Sequence, residues 1–278
     1  MNIILDSDNT MGLPACDSDD GLALLYLLGA GVKPLGITCS FGNSDQEKVY
    51  DNTKRLLGHL EPSIPVLRGG NSPGDRSSEA ADFLVEKSRE VKDLHLLVTG
   101  STTNLYQAFL QDPTFFTRIS SVTLMGGLES DFYLDELNFS VDHEATYHVL
   151  KYSRNIIIAT ANEAFKSEFN PSEFVKMVSS YEEPLKEFIL KETTPWQEEH
   201  QRLWPAIGII NWDLLAAVAL VQPEVITLEE RVISPTMHSL ETGRLHGGGE
   251  LISISVPRIT CDRVYRQHVY ETYGKVKL

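Results

Sequence analysis

The sequence has few cysteines and no long apolar run. Its three cysteines, Cys16, Cys39 and Cys261, form no C-x-x-C pair. A small, odd number of unpaired cysteines favours reduced thiols over a disulfide framework. No apolar run approaches the roughly 18 residues that a membrane-spanning helix needs. We therefore expect a protein that has no disulfide bond and does not associate with a membrane.

Positive charge is also scarce. The chain carries 24 Lys and Arg residues against 39 Asp and Glu, which gives a formal net charge of −15 at pH 7. Nucleic acid binding requires a basic surface, so we expect no nucleic acid partner; a cation or a small neutral ligand fits better. The first residues, MNIILDSD, show no basic region, no long apolar stretch and no cleavage site. This predicts a cytoplasmic protein without a secretory signal.

Short apolar runs alternate with helical patterns over the first 160 residues. The apolar runs predict buried strands at 3–5, 35–39, 95–99, 121–125 and 155–160. The patterns between them predict helices at 20–29, 45–60, 77–91, 103–111 and 143–152. Such alternation predicts an α/β fold with an open, mainly parallel sheet flanked by helices. The length suits a single domain over residues 1–278.

Beyond residue 162 the alternation weakens. The sequence predicts a helical segment at 171–193, a loop with two tryptophans at 194–205 and a helix at 212–221. Residues 225–256 are predicted to form strands, with a turn at the glycine run 247–249.

Polar residues follow the predicted strands. They are Asp6-Ser7-Asp8, Ser40-Phe41-Gly42-Asn43, Thr99-Gly100-Ser101, Met125-Gly126-Gly127 and Thr160-Ala161-Asn162. In open parallel sheets, sites form beyond the carboxyl ends of the strands. We therefore expect these side chains to converge at one edge of the sheet.

Aspartates are concentrated near the amino terminus. Asp6, Asp8, Asp17, Asp19 and Asp20 fall within fifteen residues that contain no Lys or Arg. Any one of them could be solvated or could cap the following helix. Several carboxylates in one partly buried pocket, however, either take up protons or bind a cation. Oxygen ligands select Ca²⁺ or Mg²⁺ over zinc, and Ca²⁺ tolerates irregular geometry.

One interpretation of the cluster is a phosphatase. Asp6-Ser7-Asp8-Asn9-Thr10 satisfies the D-x-D-x-T signature of haloacid-dehalogenase-like phosphatases, in which the first Asp is the nucleophile, the second an acid/base and Mg²⁺ binds the phosphate. The late G-D-x-x-x-D motif of that family does not occur after Asn162.

A second interpretation accounts for more of the chain. The motifs that carry it are, in chain order, Asp6-Ser7-Asp8, Asp19-Asp20-Gly21-Leu22-Ala23-Leu24, Gly42-Asn43, Asn52, Val98-Thr99-Gly100, Thr103-Asn104-Leu105, Met125-Gly126-Gly127, Glu136-Leu137-Asn138, Asp142-His143-Glu144-Ala145 and Asn211-Trp212-Asp213. Together they resemble the inosine-uridine-preferring nucleoside hydrolases, from residue 3 to about residue 220. The phosphatase signature explains only the first of these motifs.

The resemblance implies a Rossmann-like nucleoside hydrolase fold and a Ca²⁺-dependent reaction. That reaction is hydrolysis of the N-glycosidic bond of ribonucleosides to ribose and free base, as in nucleoside catabolism. By resemblance the metal ligands are Asp8, Asp20, the carbonyl of Thr99 and Asp213, and Asp8 is also the general base. The substrate-binding residues implied are Asp19, Asn43, Met125, Glu136, Asn138, Trp212 and Asp213. A homodimer or homotetramer is the assembly that the family suggests.

Two departures from the family pattern affect function. Trp212 stands where many members have a histidine that protonates the departing base, and an indole N–H cannot do so at neutral pH. Stacking of Trp212 on a purine would slightly favour purine nucleosides, although this residue could also be a buried helix-start aromatic. The second departure is an inserted loop, residues 9–18, whose Asp17 has no family counterpart. A non-catalytic protein that binds nucleosides or ribosyl compounds is the remaining alternative.

Overall fold

A mainly parallel sheet forms the centre of the chain. The computed structural model describes residues 1–61, 63–130, 134–205 and 207–278. The strands are β1 (Asn2–Ser7), β2 (Ile37–Cys39), β3 (Val66–Arg68), β4 (Leu94–Val98), β5 (Ile119–Met125), β6 (Ile156–Ala159), β7 (Glu168–Phe169), β8 (Ile209–Ile210), β9 (Thr227–Ile233) and β10 (Ile252–Arg258). Eight of these join in the order β3-β2-β1-β4-β5-β6-β10-β9, and β7 pairs separately with β8. Within the large sheet only β9 is antiparallel to its neighbour, β10.

Helices cover both faces of the sheet. They are α1 (Asp19–Gly29), α2 (Gln46–Leu60), α3 (Glu79–Glu90), α4 (Thr103–Gln111), α5 (Leu137–Ser140), α6 (His143–Tyr152), α7 (Ala161–Ala164), α8 (Pro171–Val178), α9 (Leu185–Leu203), α10 (Leu214–Val221), α11 (Met237–Leu240) and α12 (Asp262–Tyr273). No helix in these described ranges combines the length and apolar character needed to cross a bilayer.

The central strand β1 shows why the sheet is buried. Its side chains alternate between the two faces, so Ile3 and Leu5 pack in one core cluster with α1 and α10. Ile4 packs in the other cluster, with α3 and α4. A parallel strand that is covered on both faces has a continuous run of apolar residues. The apolar run at 3–5 is the pattern from which this strand was predicted. The predicted α/β fold is confirmed.

The carboxyl-terminal half differs from the sequence prediction in three places. The segment predicted as a loop at 194–205 is helical through Leu203, as part of α9, so that prediction is wrong. The helix persists despite the internal Pro195 because one face, including Trp196 and His200, is buried. The predicted helical segment at 171–193 is two helices, α8 and α9. The final helix α12 was not predicted, and neither, in the amino-terminal half, was the short edge strand β3.

Candidate functional site

A cavity of about 210 Å³ opens beside the carboxyl ends of the central strands. Its walls include all seven predicted substrate-binding residues, of which Asp213 is also a predicted metal ligand, and one further predicted metal ligand, Thr99: Asp19, Asn43, Thr99, Met125, Glu136, Asn138, Trp212 and Asp213. Asp8 and Asp20 lie next to this wall, because both accept hydrogen bonds from the amide of Asn43. The predicted convergence of strand-end residues is therefore found around one cavity.

Asp8 is held by the turn that follows β2. Its Oδ2 accepts a hydrogen bond from the backbone N–H of Asn43 at 2.7 Å, and its Oδ1 is 3.4 Å from Asn43 Nδ2. A Cβ atom at Gly42 would overlap the Asp8 carboxylate, so the close approach requires glycine there. The carboxylate is fully buried. The turn thus fixes its orientation.

Asp20 is held by the ends of β1 and β4. Its Oδ1 accepts hydrogen bonds from Ser7 Oγ at 2.8 Å and from Thr99 Oγ1 at 2.7 Å. Asp20 also lies in the first turn of α1, where the helix dipole favours a carboxylate. Two neighbouring strands and one helix therefore determine where this carboxylate points.

Three aspartates provide a compact set of oxygen atoms. One carboxylate oxygen from each of Asp19, Asp20 and Asp213 lies within 4.8 Å of the others, and all three residues are buried. Burial raises the pKa of Asp8, Asp19 and Asp213 well above the usual carboxyl range, and the charges of neighbouring aspartates raise these pKa values further. A buried, mutually repelling set of oxygen donors fits a hard divalent cation such as Ca²⁺.

Asp6 supports this cluster from within the sheet. Its Oδ2 accepts hydrogen bonds from Thr38 Oγ1 at 2.5 Å and Asn104 Nδ2 at 2.8 Å. Its Oδ1 is buried and, within the described part of the chain, has no hydrogen-bond partner. Burial raises the pKa of Asp6 to about 7 despite these two hydrogen bonds. The role we attribute to Asp6 is to position β1 and α4.

Glu136 and Asn138 form the opposite wall at the start of α5. Glu136 caps this helix: its Oε1 accepts from the backbone N–H of Asn138 at 2.8 Å and its Oε2 from that of Phe139 at 3.0 Å. The side chain of Asn138 donates to the carbonyl oxygen of Thr99 at 2.9 Å. A carbonyl oxygen has a second lone pair, so Thr99 can still bind a metal. These structural contacts were not apparent from the sequence.

Helix α9 adds residues that sequence reasoning missed. Two of them, Trp196 and His200, lie in α9, and Trp204 directly follows its last residue. These three residues, named here the α9 stripe, follow one another at four-residue spacing. The ring centroids of His200 and Trp204 are 5.0 Å apart, and those of Trp196 and His200 are 6.3 Å apart. His200 and Trp204 line the cavity. The four-residue spacing of these aromatic rings is the sequence signal that could have indicated a helix at 194–205, where the sequence analysis predicts a loop.

The inserted loop packs between α2 and α9. Met11 is fully buried, and its carbonyl oxygen accepts a hydrogen bond from Arg55 Nη2 at 2.8 Å. Arg55 also pairs with Glu192 of α9 through both of its terminal nitrogens, at 3.0 and 2.7 Å. At the far end of the loop, Asp17 Oδ1 accepts from Trp196 Nε1 at 2.9 Å. Asp17, unexplained by the sequence, therefore lies beside the α9 stripe on the cavity wall.

The chain is similar to a known enzyme family over most of its length. A family model described as inosine-uridine preferring nucleoside hydrolase matches residues 3–256. A probable uridine nucleosidase 2 of Oryza sativa subsp. japonica is 23% identical over 270 residues, covering 83% of this chain and 77% of that protein. The inosine-uridine preferring nucleoside hydrolase of Leishmania major is 23% identical over 292 residues, covering 92% and 88%.

Solved structures show the same fold. A purine-preferring ribonucleoside hydrolase from Gardnerella vaginalis superposes with a TM-score of 0.83 at 20% identity, covering 99% of each chain. A plant nucleoside hydrolase superposes with a TM-score of 0.82 at 18% identity, covering 98% of each chain. The sheet and its helices are therefore shared with these enzymes.

Proposed function

Because the chain belongs to the inosine-uridine preferring nucleoside hydrolase family, and is therefore a glycosidase acting on N-glycosidic bonds, we propose that it hydrolyses ribonucleosides with a Ca²⁺ ion held by its aspartate cluster. The observation that carries this proposal is the meeting of three buried carboxylates within 4.8 Å beside a cavity of about 210 Å³. The phosphatase interpretation is not retained, since it accounts for the first motif alone.

The proposed Ca²⁺ ligands are Asp8, Asp20, the carbonyl oxygen of Thr99 and Asp213. Asp19 belongs to the same oxygen cluster and, with Asn43, borders both the cluster and the cavity. When bound, Ca²⁺ would neutralise the carboxylates and lower the pKa of a water molecule beside Asp8.

Asp8 is the proposed general base. Its carboxylate is oriented by Asn43 and takes a proton from the attacking water. The water adds to the anomeric carbon of the ribose as the bond to the base breaks, through an oxocarbenium-like transition state.

The ribose is proposed to lie between the aspartates and α5, where Asp19, Asp213, Glu136 and Asn138 line the cavity. Glu136 Oε1 accepts one backbone hydrogen bond and retains a lone pair for a sugar hydroxyl. Met125 closes the cavity floor beside Asn138.

The base is proposed to lie against Trp212, which borders the cavity and is 6.2 Å from the ring of Phe165. Stacking on this indole is the reason to propose a slight preference for purines. A homodimer or homotetramer remains the expectation from the family resemblance.

The test measures bound metal by elemental analysis and ribose release from inosine, adenosine, uridine and cytidine. Wild-type protein should contain Ca²⁺ and release ribose, whereas Asp8→Asn should lose roughly 10²–10⁴-fold in rate. Asp51→Asn, on the exposed face of α2, is the matched control and should behave as wild type. Metal binding without ribose release from any nucleoside would instead support the non-catalytic binding protein.

A further inference from the structure

His200 is a polar side chain at the cavity whose role the family motifs do not explain. We propose that His200 is the general acid that protonates the departing base, in place of the histidine that Trp212 replaces. This inference rests on the proposed function. It concerns the leaving group, whereas Asp8 acts on the water.

The burial of His200 is the first observation. Only 7% of the residue is exposed, and its Nε2 atom has no hydrogen-bond partner among the residues that the structure describes. A buried polar atom without a partner is costly, so a ligand that supplies one is favoured. His200 lines the same cavity as Asp213 and Trp212, so a substrate in this cavity meets all three residues.

The surroundings of His200 suit a proton donor next to a flat ring. Trp204, which directly follows α9, lines the cavity, and its ring centroid is 5.0 Å from that of the imidazole. Asp17 of the inserted loop also lines the cavity. Imidazole is the side chain best suited to proton transfer near neutral pH.

Asp17 is itself held in position. Its Oδ1 accepts from Trp196 Nε1 at 2.9 Å, so the inserted loop and the α9 stripe meet at this pair. Asp17, which departs from the family pattern, thus lies on the same cavity wall as His200, which we propose compensates for the histidine that Trp212 replaces.

The proposed step is balanced. The bond between the anomeric carbon and the base nitrogen breaks, and its electron pair stays with the base. The His200 imidazolium gives a proton to a ring nitrogen or exocyclic oxygen of that base, while the water oxygen bonds to the anomeric carbon and Asp8 takes the water proton. Return of that proton to His200 through solvent restores the enzyme, and the net reaction is nucleoside plus water to ribose plus base.

The test compares two leaving groups in the calcium-loaded, full-length protein. Nucleosides need protonation of the base, whereas p-nitrophenyl β-ribofuranoside releases a stable phenolate without it. His200→Gln should lose roughly 10²–10⁴-fold in kcat on inosine and uridine and keep near-wild-type kcat on the p-nitrophenyl riboside. His238→Gln, whose side chain is 92% exposed on α11, is the control and should retain both activities.

Bound Ca²⁺ and the melting temperature show whether a variant is folded, and His200→Asn serves as a second substitution. An equal fall on both substrates, or no fall on nucleosides, would overturn the acid role of His200 while leaving the hydrolase intact. A wild-type protein inactive on both substrates would overturn the proposed function and this inference with it.

Discussion

Replacing Arg55 with methionine should destabilise the protein by about 4 kcal/mol. The Glu192 side chain is only 4% exposed, whereas that of Arg55 is 39% exposed. Removing one partner of a buried ion pair costs roughly 3–5 kcal/mol of stability. Because the Arg55 side is partly exposed, water can solvate the Glu192 carboxylate there after the substitution, so we expect a cost of about 3 kcal/mol for the lost pair. Loss of the hydrogen bond to the Met11 carbonyl adds about 1 kcal/mol.

The assay is urea unfolding followed by circular dichroism and tryptophan fluorescence, with linear extrapolation to water. For a chain of this size each kcal/mol lowers Tm by roughly 2 °C, so a decrease of about 8 °C is also expected. Arg202→Met removes an exposed pair with Glu199 on the same helix and should cost less than about 1 kcal/mol.

The double variant Arg55→Met with Glu192→Gln tests the cause. Because glutamine carries no charge, the double variant should be more stable than Arg55→Met alone. A loss below about 1 kcal/mol in Arg55→Met, or no recovery in the double variant, would refute the argument that an uncompensated buried charge is responsible.

Three further predictions concern pH, metal and base preference. Burial lowers the pKa of His268, which contacts the Tyr26 hydroxyl at 2.8 Å. Below about pH 6.5 the unfolded chain therefore binds more protons than the folded protein, so the free energy of unfolding should fall as pH decreases through that range. His268→Gln should flatten this part of the pH profile, and an unchanged slope would contradict the assignment. Removing Ca²⁺ with a chelator should abolish ribose release and lower Tm. Restoring free Ca²⁺ to 100 times its Kd should raise the free energy of unfolding by about 2.7 kcal/mol. A Tm independent of Ca²⁺ would argue against a metal in the aspartate cluster. Trp212→Leu should raise KM more for inosine than for uridine, because the larger base loses more stacking, and equal changes would exclude Trp212 as the source of a purine preference.

The amino-terminal half was predictable because its signals are local. Each central strand is a short apolar run, and a polar residue follows it directly, as at Asp8 and Thr99. Parallel strands place such residues at a common edge, so a linear pattern was enough to bring them together. Thr99 lines the cavity and Asp8 lies next to its wall, hydrogen-bonded to Asn43.

The carboxyl-terminal half was less predictable because long-range packing determines it. The sequence predicts a loop at 194–205, and burial of Trp196 and His200 makes the segment helical through Leu203 despite Pro195. The partner of Asp17 lies 179 residues away, which no local pattern can indicate. The capping role of Glu136 was likewise hidden by its match to a substrate-binding motif.

The anchoring of the inserted loop has a consequence for biosynthesis. Its contacts with α9 join residues 174 and 179 positions apart, at Ser18 with Glu192 and at Asp17 with Trp196. During vectorial synthesis the aspartates of β1 and α1 therefore emerge well before the helix that encloses them. The ribosome must synthesise the chain through Asp213 before every residue of the cavity wall exists, so competence for substrate should be one of the last properties the nascent chain acquires.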